Sequence, residues 1–166
     1  MISRAALAIV ASCWLGACSD GTATVPPAQE PRADTVGHIC GMFLTEHPGP
    51  KGQVFVAGQS QPLWFSSVRD AIVFLRFGDG GASAVVAYVN DMGRADWTRP
   101  DPGTWIDARR AQFVLGSRRA SGMGEAEAVP FIDREAARQF VARNGGTIAE
   151  FAEIPDDYLV NGRLDP

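Results

Sequence analysis

The chain has 166 residues, with 15 Lys and Arg against 19 Asp and Glu, a formal net charge of −4. An acidic chain with no basic stripe is a poor match for phosphate backbones, which excludes nucleic acid as the expected partner. Its length is enough for one or two small domains with real cores.

In chain order, the first feature is an export signal. Arg4 precedes the apolar run "AALAIVASCWLGA", which is too short to span a bilayer comfortably. The run ends in Leu15-Gly16-Ala17-Cys18, which resembles a bacterial lipobox: cleavage before Cys18 leaves a thiol that carries lipid and anchors the protein to a membrane. The alternative is an ordinary secretory cleavage nearby, with Cys18 a free thiol. Either way the mature chain is exported to the periplasmic side, and Ser19 after the cysteine leans towards the outer membrane. Loss of Arg4 with the signal takes the formal charge from −4 to −5.

Cysteine usage follows. Cys13 leaves with the signal and Cys18 is acylated, so Cys40 is the one thiol of the mature domain. In an oxidising compartment it has no internal disulfide partner, and is either buried and inert or kept for chemistry.

Residues 19–36, "SDGTATVPPAQEPRADTV", hold few large apolar side chains and three prolines, the composition of a flexible tether. Beyond it, "QVFVAG" and "PLWF" read as strands and "SSVRDAIVFLRFG" as a helix with Ser67 as N-cap. "SAVVAYV" is another strand. The second half repeats the order: strands "AQFVLGS" and "EAVPFI", the helix "DREAARQFVARNGG" entered at Asp133 and ended by Gly145, and the strand "TIAEF". Superimposing the two helix entries aligns Phe65 with Phe131, Ser67 with Asp133 and Phe74 with Phe140. An α+β fold of two tandem related ββαβ units is therefore expected. Asp156 and Asp157 read as a solvated tail.

Sulfur is concentrated in turns. Cys40 and Met42 flank Gly41, Met123 lies between Gly122 and Gly124, and Met92 precedes Gly93. Core methionines usually sit inside apolar periodic runs, so these three are expected to be exposed thioethers. Thiolate and thioether select Cu(I), and imidazole is compatible with it. The histidines His38 and His47 lie on either side of Cys40 and Met42. On residue types alone, copper competes with a buried thiol among scattered methionines. Zinc would need a carboxylate such as Glu46 to complete four ligands.

"CGMFLTEHPGPKGQ", "PLWFSSVRDAIVFL", "AYVNDMGRADW", "WIDARRAQFVLGS" and "GMGEAEAVPF", in this order behind a lipobox, resemble the NosL family. The resemblance runs from about Cys40 to residues 154–155. It implies an exported, lipid-anchored Cu(I) carrier for maturation of nitrous oxide reductase, with no turnover of its own, built as two ββαβ units. Carried over by position, it implies Cys40 as the anionic ligand, Met42 or Met123 as neutral sulfur, and His47 in preference to His38 as nitrogen. Met92, His38 and Glu46 are secondary candidates. The implied organisation is a signal at 1–17, a lipidated tether at 18–39 and a copper-binding domain at 40–166, with halves at roughly 40–92 and 104–154. An incomplete ligand set in one chain would be completed by a partner protein or by a homodimer.

Two other functions compete. An exported thiol enzyme would use Cys40 as nucleophile with His38 or His47 as base, though no local cysteine-hydrolase signature accompanies them. A non-metal scaffold would leave the methionines without a role.

Overall fold

The computed structural model describes residues 25–78 and 83–164. The signal, Cys18 and the first part of the expected tether lie outside the described residues. Among the described residues no helix is long and apolar enough to cross a membrane.

Both expected units are present, with the same internal order. In the first, β1 (Gly52–Val56) lies between β2 (Leu63–Phe65) and β3 (Ala84–Asn90), all antiparallel. Helix α1 (Val68–Phe77) connects β2 to β3. A short strand β4 (Trp105–Asp107), not anticipated from the sequence, extends this sheet along the free edge of β3. In the second unit, β5 (Gln112–Leu115) lies between β6 (Val129–Phe131) and β7 (Thr147–Glu150), with α2 (Arg134–Asn144) joining the last two. The registers correspond: Gly52 faces Phe65 in one sheet, and Gln112 faces Phe131 in the other.

The helix starts obey the expected capping chemistry. Ser67 accepts a hydrogen bond from the Asp70 amide, and Asp133 accepts one from the Glu135 amide, each satisfying a donor that the first helical turn leaves free. Gly145, at φ 74°, ends α2 in a conformation that a side chain would strain.

The core joins the units. Strand β5 alternates as a two-sided strand must. Phe113 and Leu115 enter a large cluster with Val54, Phe65, Val68 and Ile72 of the first unit. Val114 points the other way, into a smaller cluster with Val129, Phe131, Ala137 and Phe140 beneath α2. A backbone bond from the Met92 amide to the Pro130 carbonyl ties the end of β3 to β6.

Two expectations need correction. The tether does not run to residue 39 as a free segment, because residues 26–30 are bonded to the first sheet. The Gln29 backbone exchanges two 2.9 Å hydrogen bonds with the buried Gln53 amide. The Pro26 carbonyl accepts from Tyr88, and Glu30 accepts from Trp105 Nε1. Polar, proline-rich composition describes a segment that builds no core of its own, and this one satisfies the polar groups of a sheet instead.

Asp156 and Asp157 are exposed but do not sit on a tail: they open helix α3 (Asp156–Asn161), which buries Tyr158 and Leu159 in the large cluster. Asp156 and Asp157 occupy its first turn, where carboxylates oppose the helix dipole. Six residues are too few for helical periodicity to be read.

Candidate metal site

Cys40 sits in a closed loop. An isolated bridge joins Val36 to Phe43, the Gly37 amide donates to the Met42 carbonyl at 2.9 Å, and the Gly41 amide donates to the Gly37 carbonyl at 2.8 Å. Gly41 takes φ +67° with open space at its α-carbon, so the turn between the two sulfur residues needs a glycine for its backbone. Gly37 is needed for space, since a β-carbon there would lie 2.7 Å from Cys40 Sγ.

The thiol is half-buried and meets the Ser66 hydroxyl at 3.4 Å, at the entry to α1. Met42, 37% exposed, lies two residues on at the open side. His38 docks the loop, its amide donating to the Trp64 carbonyl at 2.6 Å. Its ring meets Phe65 and Phe74 edge-on, with centroids 5.8 and 5.5 Å away.

Met123, 45% exposed, tops a second tight turn from the other unit. Ser121 and Glu125 close that turn, with the Ser121 amide donating to the Glu125 carbonyl at 2.8 Å, and Ala120 bridges Ala126 below it. This turn packs directly on His47. A β-carbon at Gly122 would lie 2.6 Å from His47 Cβ and 2.8 Å from the Pro48 carbonyl oxygen. Only a residue without a side chain allows the approach.

The imidazole has a defined polarity. His47 Nδ1 lies 3.4 Å from the Gly122 carbonyl oxygen, which only accepts, so Nδ1 carries the proton. In the neutral ring Nε2 then keeps its lone pair, and Nε2 is buried with no hydrogen-bond partner. A ring held by one nitrogen through a carbonyl, with the other nitrogen unpaired, is the arrangement typical of metal-ligating histidine.

The structure thus brings Cys40 and Met42 into one loop, and sets His47 beside the turn that carries Met123. It places the secondary candidates differently. Met92 is partly buried against the cluster beneath α2, contrary to the expectation that all three methionines are exposed thioethers. The β3 end that carries it is pinned to β6, which turns its side chain into packing. His38 is engaged with aromatic rings, and Glu46 is exposed in the 3-10 turn Leu44–Glu46. Among the described residues no group of three or more His, Cys, Asp or Glu is arranged to hold a metal.

Sequence reading missed two buried charges beside these loops. Lys51 is buried, and its ammonium donates to the Pro48 carbonyl at 3.2 Å and the Gly49 carbonyl at 2.7 Å, bracing the turn after His47. Glu127 is buried at the start of β6's run. Its Oε1 accepts from Ser67 Oγ, the Arg69 amide and the Ala128 amide. Burial lowers the Lys51 pKa to about 8 against the opposing pull of Glu127 and Cys40. Burial raises the Glu127 pKa to about 7 against its backbone donors. A lone glutamate in a strand-like stretch reads as a surface residue, so only its alternation with Val129 and Phe131 hinted that it points inward.

These charges predict an unusual pH profile. Glu127, raised above its ordinary value, contributes stability that is full below about pH 4.5 and is lost as pH climbs to about 7. Lys51, lowered, contributes stability that is full above about pH 10.5 and is lost as pH falls to about 8. Each contribution is on the order of 2–3 kcal/mol, so unfolding free energy should pass through a minimum between about pH 7 and 8. Urea titrations at pH 5, 7.5 and 10 measure it, and a steady rise across that range would contradict the burial of both charges. The double variant Lys51→Met/Glu127→Gln should flatten the profile.

Known proteins resemble this chain along most of its length. Residues 27–159 match the family model described as NosL. The chain is 45% identical over 155 residues to the copper-binding lipoprotein NosL of Achromobacter cycloclastes, covering 92% of this chain and 80% of that protein. It is 33% identical over 122 residues to the copper-binding lipoprotein NosL of Stutzerimonas stutzeri, covering 74% of this chain and 63% of that one. The crystal structure of the copper chaperone NosL from Shewanella denitrificans superimposes with a TM-score of 0.74 at 34% identity, over 79% of this chain and 98% of that chain. By sequence along most of its length, and by the fold that places the two sulfur turns, the chain belongs to the NosL family.

Proposed function

We propose that this chain is a Cu(I) carrier, lipid-anchored through Cys18 on the periplasmic side, that delivers copper to nitrous oxide reductase for assembly of its copper sites. Cys40 supplies the anionic ligand, Met42 and Met123 supply thioethers, and His47 supplies Nε2. The observation that carries this reading is the pairing of exposed sulfur on two glycine-built turns with an imidazole whose Nε2 is buried and unpartnered.

The chemistry follows from the donors. Thioethers have no proton to lose and bind without competition from pH, whereas the thiol must ionise first. Met42 and Met123 can reach an ion from solvent. His47 Nε2 is buried and is not reached directly from solvent. Copper is then held first by exchangeable sulfur, and an acceptor protein removes it by offering its own sulfur or imidazole, one ligand at a time. No bond of a substrate is made or broken. Among the described residues the Cys40 thiol meets a serine hydroxyl rather than an imidazole nitrogen, which supports carriage over nucleophilic catalysis, where the thiol must hand its proton to a base. A homodimer or the acceptor would complete any coordination position left open.

Equilibrium dialysis of the reduced mature domain against Cu(I), with a competing chelator at fixed concentration, tests this. Stoichiometric retention is expected, and absence of retention with Cys40 reduced would overturn the reading.

A further inference from the structure

Three contacts fix the direction in which the chain enters the fold. Strand alternation turns Val54 into the large cluster and Gln53 and Phe55 to the outer face of the first sheet. Residues 26–30 lie across that face. Tyr88 Oη donates to the Pro26 carbonyl at 2.8 Å, the Gln53 amide exchanges two bonds with Gln29, and the Glu30 carboxylate accepts from Trp105 Nε1 and the Gly103 amide. By register Trp105 lies opposite Asn90, at the end of β3, and Tyr88 lies two residues back along that strand. Phe55, opposite Val86, is two residues further back. It is 1% exposed although it belongs to neither core cluster, and its ring meets Tyr88. Traced backward from Glu30 to Pro26, the chain therefore heads away from the Asn90 end of the sheet, towards the end where Val56 faces Ala84.

The two ends of that sheet differ. The sulfur turns and His47 lie at the Asn90 end. Ser66, which meets Cys40, directly follows β2, the Lys51 amide just beyond Gly49 donates to Asn90, and Gly122 packs on His47. The opposite end carries the uncharged turn 57–62 between β1 and β2, and the exposed Phe77 and Val85 at the end of α1 and the start of β3. Arg109 and Arg110 are on this side as well, because β4 runs from Trp105 opposite Asn90 to Asp107 opposite Tyr88 and leads directly into them. Both are exposed, and neither guanidinium has a hydrogen bond or ion pair among the described residues. Of the carboxylates nearby, Asp107 accepts the Arg109 amide and Asp156 pairs with Arg76 at 2.8 Å.

Residues 19–24 are all that separates Cys18 from Val25, and a fully extended chain spans at most about 25 Å over that interval. Strand β3 alone is about 20 Å long, so doubling back to the Asn90 end would consume nearly the whole reach. A lipid on Cys18 brings the opposite end to the bilayer first. We propose that this end is the membrane-facing surface of the protein: the docked segment 26–30 directs the anchor to it, Arg109 and Arg110 meet anionic lipid headgroups, and the sulfur turns are held pointing away from the bilayer. Guanidinium suits that contact, since its planar fork matches phosphate oxygens and basic residues are drawn to an anionic leaflet. The proposal rests on the reading of Cys18 as a lipid anchor and is independent of copper.

The test uses the acylated chain, purified from bacterial membranes and reconstituted in vesicles, with Cys40→Ser so that an introduced cysteine is the single free thiol. Gln59→Cys marks the hairpin end and Thr45→Cys the sulfur-turn end. Each carries a fluorescent donor, and the acceptor is on lipid headgroups. Energy transfer should be stronger from Gln59→Cys than from Thr45→Cys. The difference should be larger in phosphatidylglycerol than in phosphatidylcholine vesicles, and Arg109→Glu/Arg110→Glu should remove that gain. Gln53→Leu/Tyr88→Phe, which removes the bonds holding residues 26–29, should bring the two transfers together. Thermal unfolding is measured alongside, and Glu30→Ala/Tyr88→Phe takes its place if the buried substitution fails to fold. Equal transfer from both positions, or stronger transfer from Thr45→Cys, in a protein shown by mass spectrometry to be acylated overturns the proposal alone. An undiminished gain in the arginine variant overturns the headgroup contact, and an undiminished difference in a folded release variant overturns the role of segment 26–30. A Cys18 without acyl chains overturns the anchor reading and the orientation with it, whatever the protein does with Cu(I).

Discussion

Replacing Cys40 by serine should abolish useful Cu(I) retention. The substitution changes one atom, fits the same space against Gly37 and Ser66, and leaves the fold intact. What it removes is the proposed anionic donor to monovalent copper. A serine hydroxyl is a hard oxygen that does not ionise at neutral pH, whereas soft thiolate and thioether ligands are what select Cu(I). Losing a group that merely orients a ligand costs about 10–100-fold in affinity, so losing the ligand itself should cost more. Competition with a chelator measures the loss, and X-ray absorption of the loaded protein should count one sulfur fewer. Retention equal to that of the native domain would mean that Cys40 is a buried structural thiol after all. In cells the variant should lower nitrous oxide reductase activity, with partial recovery when copper is added.

The largest effect on stability should come from Tyr158→Ala. Tyr158 is fully buried, and its hydroxyl does double duty, donating to the Glu127 carbonyl at 2.8 Å and accepting from the Gly116 amide at 3.0 Å. Truncating a large buried ring costs about 3–5 kcal/mol, and each buried partner left unpaired adds about 1–3 kcal/mol. Against a total of about 5–15 kcal/mol for a typical domain, the variant should sit near its unfolding midpoint at moderate urea. Tyr158→Phe separates the contributions, because it keeps the ring and removes only the hydroxyl. A loss below about 1 kcal/mol for Tyr158→Ala would mean that α3 is dispensable to the core. The result bears on function as well, since the Glu127 carbonyl that Tyr158 holds belongs to the segment beside the candidate site.

Together the two variants separate chemistry from scaffold. Cys40→Ser should remove copper from a stable protein, and Tyr158→Ala should loosen the junction of the units with every proposed ligand still present. Their readouts differ in kind, so one cannot mimic the other.

The sequence by itself determined the elements that are long and locally consistent. Ser67 and Asp133 mark helix starts because a short polar side chain there satisfies amides of the first turn, a relation confined to a few neighbours. The two ββαβ units were legible because alternating and helical patterns recur in the same order. The sulfur-bearing turns were legible because glycine beside cysteine and methionine is a local signal. What only the tertiary structure decided depends on distant contacts. Met92 has the same glycine neighbour as Met123, yet one is packed under α2 and the other stands on an open turn. The difference lies in β6, nearly forty residues beyond Met92 in the chain. Glu127 and Lys51 looked like surface charges until the fold closed over them, and Asp156 opens a helix because Tyr158 finds a socket between Gly116 and Glu127. Patterns within a few residues report which way a segment folds. Where its side chains end up depends on the segment that arrives to cover them.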